Sequence, residues 1–222
     1  MKAFSIPTPG DAAIVLFAPC RPVPQWPDVG LTAWLTVLCL SIALLPNADS
    51  WFQFDRSAIA AGQWWRVVTG HFTHWNGEHL FWDLSVFAIL GWICERNDRS
   101  RFVIGLSAAT LLISLGGWVF LPTLQTYRGL SGLDTALFTL LAASALQANW
   151  REQQWGWVIA IAGLLAGLAA KIGFETLTDG ALFVDTAGAG FQPVPLAHVI
   201  GALIGMVVGV YPVSTTRIDS PQ

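Results

Sequence analysis

A serine flanked by glycines stands where a long apolar segment begins, in the stretch YRGLSGLDTALF at 127–138. Gly129 and Gly132 clear space around the hydroxyl of Ser131. Such a serine packs against another helix, caps its own helix, or acts as a nucleophile. A serine hydroxyl is a weak nucleophile until a base within hydrogen-bond reach takes its proton. The nucleophile interpretation therefore needs a base from elsewhere in the chain.

The last apolar segment, PLAHVIGALIG, supplies the candidate base, His198. Three glycines follow it at spacings of three and four on the same helical face: Gly201, Gly205 and Gly209. Such a row lets another helix approach closely. The segment after Ser131 offers small residues on a compatible face, interrupted by one leucine: Gly132, Ala136, Leu140 and Ala143. Packing these two faces predicts that His198 lies near Ser131, as a dyad, because no third residue is seen to orient the histidine.

Hydrolysis also needs donors for a developing oxyanion. Ser131 is predicted to start a helix, where backbone N–H groups have no acceptor within the helix. His79 and Asp83 lie four residues apart on one helical face and are further candidates. Asp83 donates only if burial keeps its carboxyl neutral. The sequence thus predicts a site made by three helix starts.

Composition assigns these helices to a membrane. The 222 residues are 54% hydrophobic and only 11% charged, with a mean hydropathy of +0.57 and twelve tryptophans. A soluble domain carries about 25% charged residues, and tryptophan favours the membrane–water interface. The predicted fold is therefore an all-α, polytopic membrane protein. The net charge of −3, without a basic run, excludes nucleic acid as a partner.

Apolar runs of near-bilayer length predict six transmembrane helices: 29–46, 77–94, 101–121, 129–148, 155–173 and 195–212. The predicted domains are a tail at 1–28, a six-span body at 29–212 and a tail at 213–222. Loops are predicted at 47–76 and at 174–194, the second being a candidate mobile cap with Gly188 and Gly190. Seven basic residues flank one side and four the other, which predicts cytoplasmic termini. The polar residues at the helix starts then open to the outer side.

The motifs resemble those of the rhomboid family of intramembrane serine proteases. GLSG at 129–132 matches the serine motif, AHVIG the last-span histidine motif, and Trp65-Arg66 the first-loop motif. The resemblance implies that Ser131 is the nucleophile and His198 the general base. It assigns the oxyanion site to three groups: His79, the side chain at position 83 and the Ser131 N–H. His74, with Gly129 and Gly132, is expected to line the cavity.

The resemblance also implies membrane-anchored protein substrates, no cofactor, no metal, and a loop at 47–76 half-embedded against the lipid. Two residues depart from the family pattern, which usually has Asn at Asp83 and often Tyr at Thr135. The sequence is most similar to bacterial rhombosortases. That subgroup implies a bacterial cytoplasmic membrane and substrates with C-terminal Gly-Gly signals. The oligomeric state has no signature in the sequence.

Three alternatives compete with the protease interpretation. The first is a catalytically inactive rhomboid-like protein that binds membrane clients. The second is a small transporter with Asp83 in a proton relay, against which no internal repeat is visible. The third is a zinc site formed by His71, His74 and His79. HExxH is absent, and the last two of these histidines are five apart, off one helical face.

Overall fold

The structure, a computed structural model, describes residues 30–178, 180 and 193–211. This part of the chain is mostly helical, as predicted. The predicted tails at 1–28 and 213–222 lie outside the described residues. So does the stretch with Gly188 and Gly190, which was predicted to form a cap.

Within the described residues, six helices exceed ten residues in length. They are α1 (Leu31–Leu44), α2 (Gly77–Asn97), α3 (Arg99–Phe120), α4 (Ser131–Arg151), α5 (Trp155–Thr178) and α6 (Pro195–Val210). Each coincides with one of the predicted apolar segments. By length and composition, α3 and α5 are suited to cross a membrane, whereas α1 and α6 are apolar but shorter, with 14 and 16 residues. The count of six crossings therefore stays a prediction.

The segment at 47–76 is more ordered than the predicted loop. It contains the short helices Ala48–Phe52, Arg56–Ala60 and Arg66–Thr69, followed by a 3₁₀ turn at Gly70–Phe72. Strand β1 (Phe54–Asp55) pairs antiparallel with β2 (Thr126–Tyr127), with Phe54 opposite Tyr127. Strands of two residues leave no alternating pattern in the sequence. This pairing ties the segment to the chain just before Ser131.

The arginine of the Trp65-Arg66 pair holds this segment together. Arg66 is buried, and its guanidinium donates to the Gln53 carbonyl at 3.0 Å and to the Ser50 carbonyl at 2.6 Å. A third bond, of 2.7 Å, reaches Gln63 Oε1. The planar guanidinium has donors enough to satisfy several acceptors at once. The motif residue is thus a structural clamp at some distance from the serine.

The glycine face of α6 packs on α4, as the spacing predicted. A Cβ added to Gly201 would collide with the Gly132 carbonyl oxygen, and one on Gly205 would collide with the Ala136 carbonyl oxygen. A Cβ on Gly209 would lie 2.7 Å from the Leu140 carbonyl oxygen. The backbones of the two helices are therefore in contact over more than two turns. This contact fixes how far α6 lies along α4.

One end of the helix bundle gathers arginines. Arg101, in the first turn of α3, donates to the Gly209 carbonyl at 3.1 Å and to the Tyr211 carbonyl at 2.8 Å. The end of α6 therefore lies beside the start of α3. Arg96 lies in the last turn of α2 and Arg151 is the last residue of α4, so both lie at this same end. Ser131, which starts α4, lies at the opposite end.

The fifth helix is longer than predicted. The predicted span ended at 173, but α5 continues to Thr178. The hydroxyl of Thr176 donates to the Ile172 carbonyl at 2.7 Å, and that of Thr178 to the Phe174 carbonyl at 2.9 Å. Both hydroxyls find an acceptor within the helix, which therefore includes polar residues beyond the point where hydropathy falls. The extension brings Glu175 into the helix.

Gly205→Ala should destabilise the protein, because the added methyl collides with backbone and side-chain atoms of α4. Overpacking of this kind costs about 1–3 kcal/mol in the free energy of unfolding. Unfolding in mixed micelles, followed by circular dichroism, measures it. Gly156→Ala in α5 is the matched control, since its methyl meets no atom within 4 Å. Equal stability for the two variants would contradict the close contact.

Candidate active site

The serine and the last histidine are in hydrogen-bond contact. Nε2 of His198 lies 3.1 Å from Oγ of Ser131. Ser131 is the first residue of α4, and His198 lies in the first turns of α6. His198 is 6% exposed, so its ring is held by packing. The contact joins two starts of helices that pack closely along their length.

The turn before Ser131 needs a glycine. Gly129 has a φ of +119°, a backbone conformation that residues other than glycine rarely adopt. A Cβ there would lie 2.9 Å from the His79 ring and 3.0 Å from Asp83 Oδ2. The hydroxyl of Tyr127 donates to the Gly129 carbonyl at 3.2 Å. Gly129 thus lets α2 approach the backbone that leads into the serine.

Asp83 holds this turn as an acceptor. Its Oδ2 accepts the Leu130 N–H at 2.8 Å, one residue before Ser131. The same oxygen lies 3.1 Å from Nε2 of His79 and 3.4 Å from Nε2 of His74. The two imidazoles contact each other edge to face, with centroids 5.1 Å apart. One carboxylate oxygen therefore joins α2, the preceding segment and the turn before the serine.

The hydrogen bonds of Asp83 differ from the role that the sequence predicted for it. A donor for an oxyanion was predicted, on the condition that the carboxyl is neutral, but the observed contacts of Oδ2 use it as an acceptor. His79 directs Nε2 at that oxygen. The start of α4 still offers backbone N–H groups that the helix itself cannot satisfy. The role of His79 and Asp83 in an oxyanion site stays a prediction.

The sequence predicted a Ser–His dyad without a third residue to orient the histidine. That prediction is wrong, because a third residue contacts the ring. Nδ1 of His198 lies 2.9 Å from Oε2 of Glu175, which is 1% exposed. The other oxygen, Oε1, is 2.6 Å from Nζ of Lys171. The sequence interpretation missed Glu175 because it ended the fifth helix at 173. The available signal was Lys171 and Glu175 at an i, i+4 spacing, since paired ionisable residues near an apolar span mark functional positions.

The histidines do not all gather at the serine. Nε2 of His71 lies 3.0 Å from the Thr110 carbonyl oxygen and 3.1 Å from Ser114 Oγ, on α3. A carbonyl only accepts, so this nitrogen is the donor. Burial lowers the pKa of His71 to about 4, against a smaller opposing effect of the hydrogen bond to Thr110. His71 is thus a neutral structural group, separate from the His74–His79 pair.

A cavity of about 800 Å³ lies in front of Ser131. Polar residues that line it include Ser131, His198, His79, Asp83 and Glu175. Its sides are largely apolar, with Trp82, Val86 and Leu90 from α2 and Gly163, Leu164 and Gly167 from α5. The sides of α5 are largely exposed, whereas α3 is half buried. The cavity is thus bounded on one side by a lightly packed helix.

The three residues expected to line this cavity lie behind its wall. His74 faces Asp83, and Gly129 packs under His79 and Asp83. A Cβ on Gly132 would lie 3.2 Å from that of Ala197, so Gly132 serves the contact with α6. None of the three is among the residues that line the cavity. The two glycines let neighbouring elements approach closely, and His74 contacts Asp83, so all three support the residues that do line the cavity.

Arg128 borders the cavity and was not singled out in the sequence. Its Nε donates to Gln53 Oε1 at 2.8 Å, and its Nη2 lies 3.0 Å from Asp49 Oδ2. The guanidinium also stacks 4.2 Å from the ring centroid of Trp75. These contacts join the segment at 47–76 to the residues just before the serine. A single arginine in a short loop gives no pattern from which such contacts could be predicted.

The helical fold brings a serine and a histidine into hydrogen-bond contact at one end of the bundle. A family model described as Rhomboid domain matches residues 61–214. The chain belongs to the rhomboid family. Rhomboid-like protein 11, chloroplastic, from Arabidopsis thaliana is 25% identical over 152 residues, which are 65% of this chain and 51% of the relative. The chain thus spans about half the length of this curated relative.

Asp83→Ala should destabilise the turn before the serine, because the buried Leu130 N–H loses its acceptor. An unsatisfied buried donor costs about 1–3 kcal/mol in the free energy of unfolding. Asp83→Asn keeps an acceptor oxygen at the same position and should cost clearly less. Unfolding titrations of the two variants in micelles measure the difference. If alanine and asparagine cost the same, the Leu130 bond is not what Asp83 contributes.

Proposed function

We propose that the protein is an intramembrane serine endopeptidase that cleaves membrane-anchored protein substrates. Ser131 is the nucleophile and His198 the general base. The observation that carries this proposal is the 3.1 Å separation of Ser131 Oγ and His198 Nε2. Membership of the rhomboid family supports it, since members are usually serine intramembrane proteases. No metal or cofactor is required by this chemistry.

The reaction follows from the two atoms in contact. Ser131 Oγ attacks the substrate carbonyl carbon while Nε2 of His198 takes the hydroxyl proton. The tetrahedral intermediate collapses, the C–N bond breaks, and the imidazolium returns the proton to the leaving amine. Water then attacks the acyl carbon with His198 as the base, the ester C–O bond breaks, and His198 returns the proton to Ser131 Oγ. Backbone N–H groups at the start of α4 are suited to stabilise the negative oxygen, because they lack helix acceptors.

The cavity suits a substrate segment that has left the helical conformation. A helix with its side chains is about 10–12 Å across, and only an unwound stretch presents a carbonyl carbon to a serine at the inner end of a cavity. Small substrate residues favour such unwinding. The narrower prediction, a rhombosortase that processes C-terminal Gly-Gly signals, agrees with this requirement. The protease domain is then 29–212, with tails at 1–28 and 213–222.

We place the arginine-bearing end of the bundle in the cytoplasm of a bacterium and the Ser131 end on the outer side of its cytoplasmic membrane. Arg96, Arg101 and Arg151 lie at the first end. Positively charged residues favour the cytoplasmic side. Basic residues at the Ser131 end are held by partners, as Arg56 is by the Gly117 and Leu121 carbonyls. Both termini are cytoplasmic in this arrangement of six crossings.

A fluorophosphonate probe should label the wild-type protein in proteoliposomes and should not label Ser131→Ala. His198→Ala should label about 10²–10⁴-fold more slowly, which is the usual contribution of a general base. The same variants should lose cleavage of single-span reporter proteins with small residues in the span. In-gel fluorescence and mass spectrometry of the reporter fragments measure the two effects.

Ser85→Ala is the matched control, since this hydroxyl only bonds the Phe81 carbonyl of its own helix at 2.6 Å. It should be labelled like the wild type. Undiminished cleavage by Ser131→Ala would overturn the proposal. A folded wild-type protein that neither takes the probe nor cleaves any reporter would favour the inactive, client-binding alternative.

Cysteine labelling from outside tests the orientation. In a background without the native cysteines, Thr123→Cys should react with an impermeant maleimide in intact bacterial cells. Glu152→Cys should react only after the membrane is opened. Both positions are exposed and lie at opposite ends of the bundle. The reverse pattern would contradict the proposed orientation.

A further inference from the structure

We propose that Glu175 is a positioning residue that acts through His198, so that the site is a Ser–His–Glu triad whose acid comes from α5. The inference rests on the proposed function, because it assigns Glu175 a part in the same reaction. The acid lies 2.9 Å from Nδ1 of His198, on the side of the ring opposite to Ser131. Ser131, His198 and Glu175 come from three different helices.

The contact with Glu175 selects the tautomer that the reaction needs. An ionised carboxylate only accepts, so Nδ1 of His198 must carry the proton in this contact. Nε2 is then the unprotonated nitrogen, and it lies 3.1 Å from the Ser131 hydroxyl. In the opposite tautomer, Nε2 would carry a proton and could not accept that of the serine. The 2.9 Å contact therefore leaves Nε2 of His198 unprotonated, so that it can act as the base for Ser131.

Lys171 explains why a carboxylate is tolerated at this position. Glu175 is 1% exposed, and an unpaired buried charge is very costly. Nζ of Lys171 lies 2.6 Å from Oε1, one helical turn earlier on α5. The lysine is part exposed, so its own charge keeps contact with solvent. The two oxygens thus have separate tasks, with Oε1 held by the lysine and Oε2 directed at the histidine.

The carboxylate also favours the charged intermediate. When Nε2 takes the hydroxyl proton, the imidazolium lies beside a negative charge, and both groups are buried. Glu175 does not take a proton itself, because the proton on Nδ1 stays there throughout. It orients the ring before attack and stabilises its positive charge afterwards. Neither task requires contact with the substrate.

The test measures the rate of covalent labelling by a fluorophosphonate, which needs no known substrate. In that reaction Ser131 Oγ bonds to phosphorus, the P–F bond breaks, fluoride leaves and His198 takes the hydroxyl proton. Glu175→Gln should lower the maximal labelling rate about 10²-fold or more, because the amide no longer enforces the reactive tautomer. The probe concentration for half-maximal rate should stay within about twofold, since the amide has the same size as the carboxylate that it replaces in the cavity lining.

Lys171→Met is the matched control, because it breaks the same ion pair but leaves the carboxylate on His198. A role of the pair in helix stability alone predicts equal effects for the two variants. The triad predicts a much smaller effect for Lys171→Met, of about tenfold or less. Glu175→Gln in a His198→Ala background should cause no further loss, since the acid acts through the histidine.

The possible outcomes distinguish failure of the triad from failure of the protease proposal. If Ser131→Ala is not labelled and a folded Glu175→Gln is labelled at the wild-type rate, the triad is wrong and the protease proposal stands. If Ser131→Ala is labelled like the wild type, the protease proposal itself fails. Should Glu175→Gln lack a thermal unfolding transition, Glu175→Asp replaces it. The shorter acid should then be slower than Lys171→Met, and an equal or faster rate would overturn the inference.

Discussion

The contact between the glycine face of α6 and the backbone of α4 is the constraint on which the site depends. Gly201 and Gly205 lie against the carbonyl oxygens of Gly132 and Ala136, so no side chain of α6 separates the helices at these positions. In lipid, helix association relies on such packing rather than on a hydrophobic driving force. A shift of α6 along α4 would bring larger side chains to the points where these glycines now lie, so the contact fixes the depth of α6. That depth sets His198 beside Ser131.

Polar groups around the site are fixed because each pairing offsets a large desolvation cost. A buried carboxylate is tolerated only with partners that replace water. Asp83 has the Leu130 N–H and His79, and Glu175 has Lys171 and His198. Two of these pairings, with the Leu130 N–H and with His198, join an acid to the element that leads to Ser131 or carries His198. These two hydrogen bonds therefore both stabilise the buried charge and orient the site.

The sequence predicted those features of the fold that depend on helical periodicity and on hydropathy. The six long helices, the glycine face and the nearness of His198 to Ser131 all follow from spacing, because residues three and four apart share a helical face. It did not predict the pairing of Phe54 with Tyr127, since a two-residue strand has no period. It also missed Glu175. Hydropathy drops after 173, two residues before this acid, and hydropathy carries no sign of its contacts with Lys171 and His198.

The direction of a hydrogen bond is a further limit on such prediction. Spacing brought Asp83 to the serine, but it could not tell whether the carboxyl donates or accepts. The Leu130 N–H decides this, because an N–H group only donates and Oδ2 must accept. At Glu175 the direction depends on charge instead, because an ionised carboxylate only accepts and then requires a proton on Nδ1 of His198. Since α5 carries both that acid and the cavity wall at Gly163 and Gly167, the boundary of the cavity and the orientation of the histidine depend on one lightly packed helix.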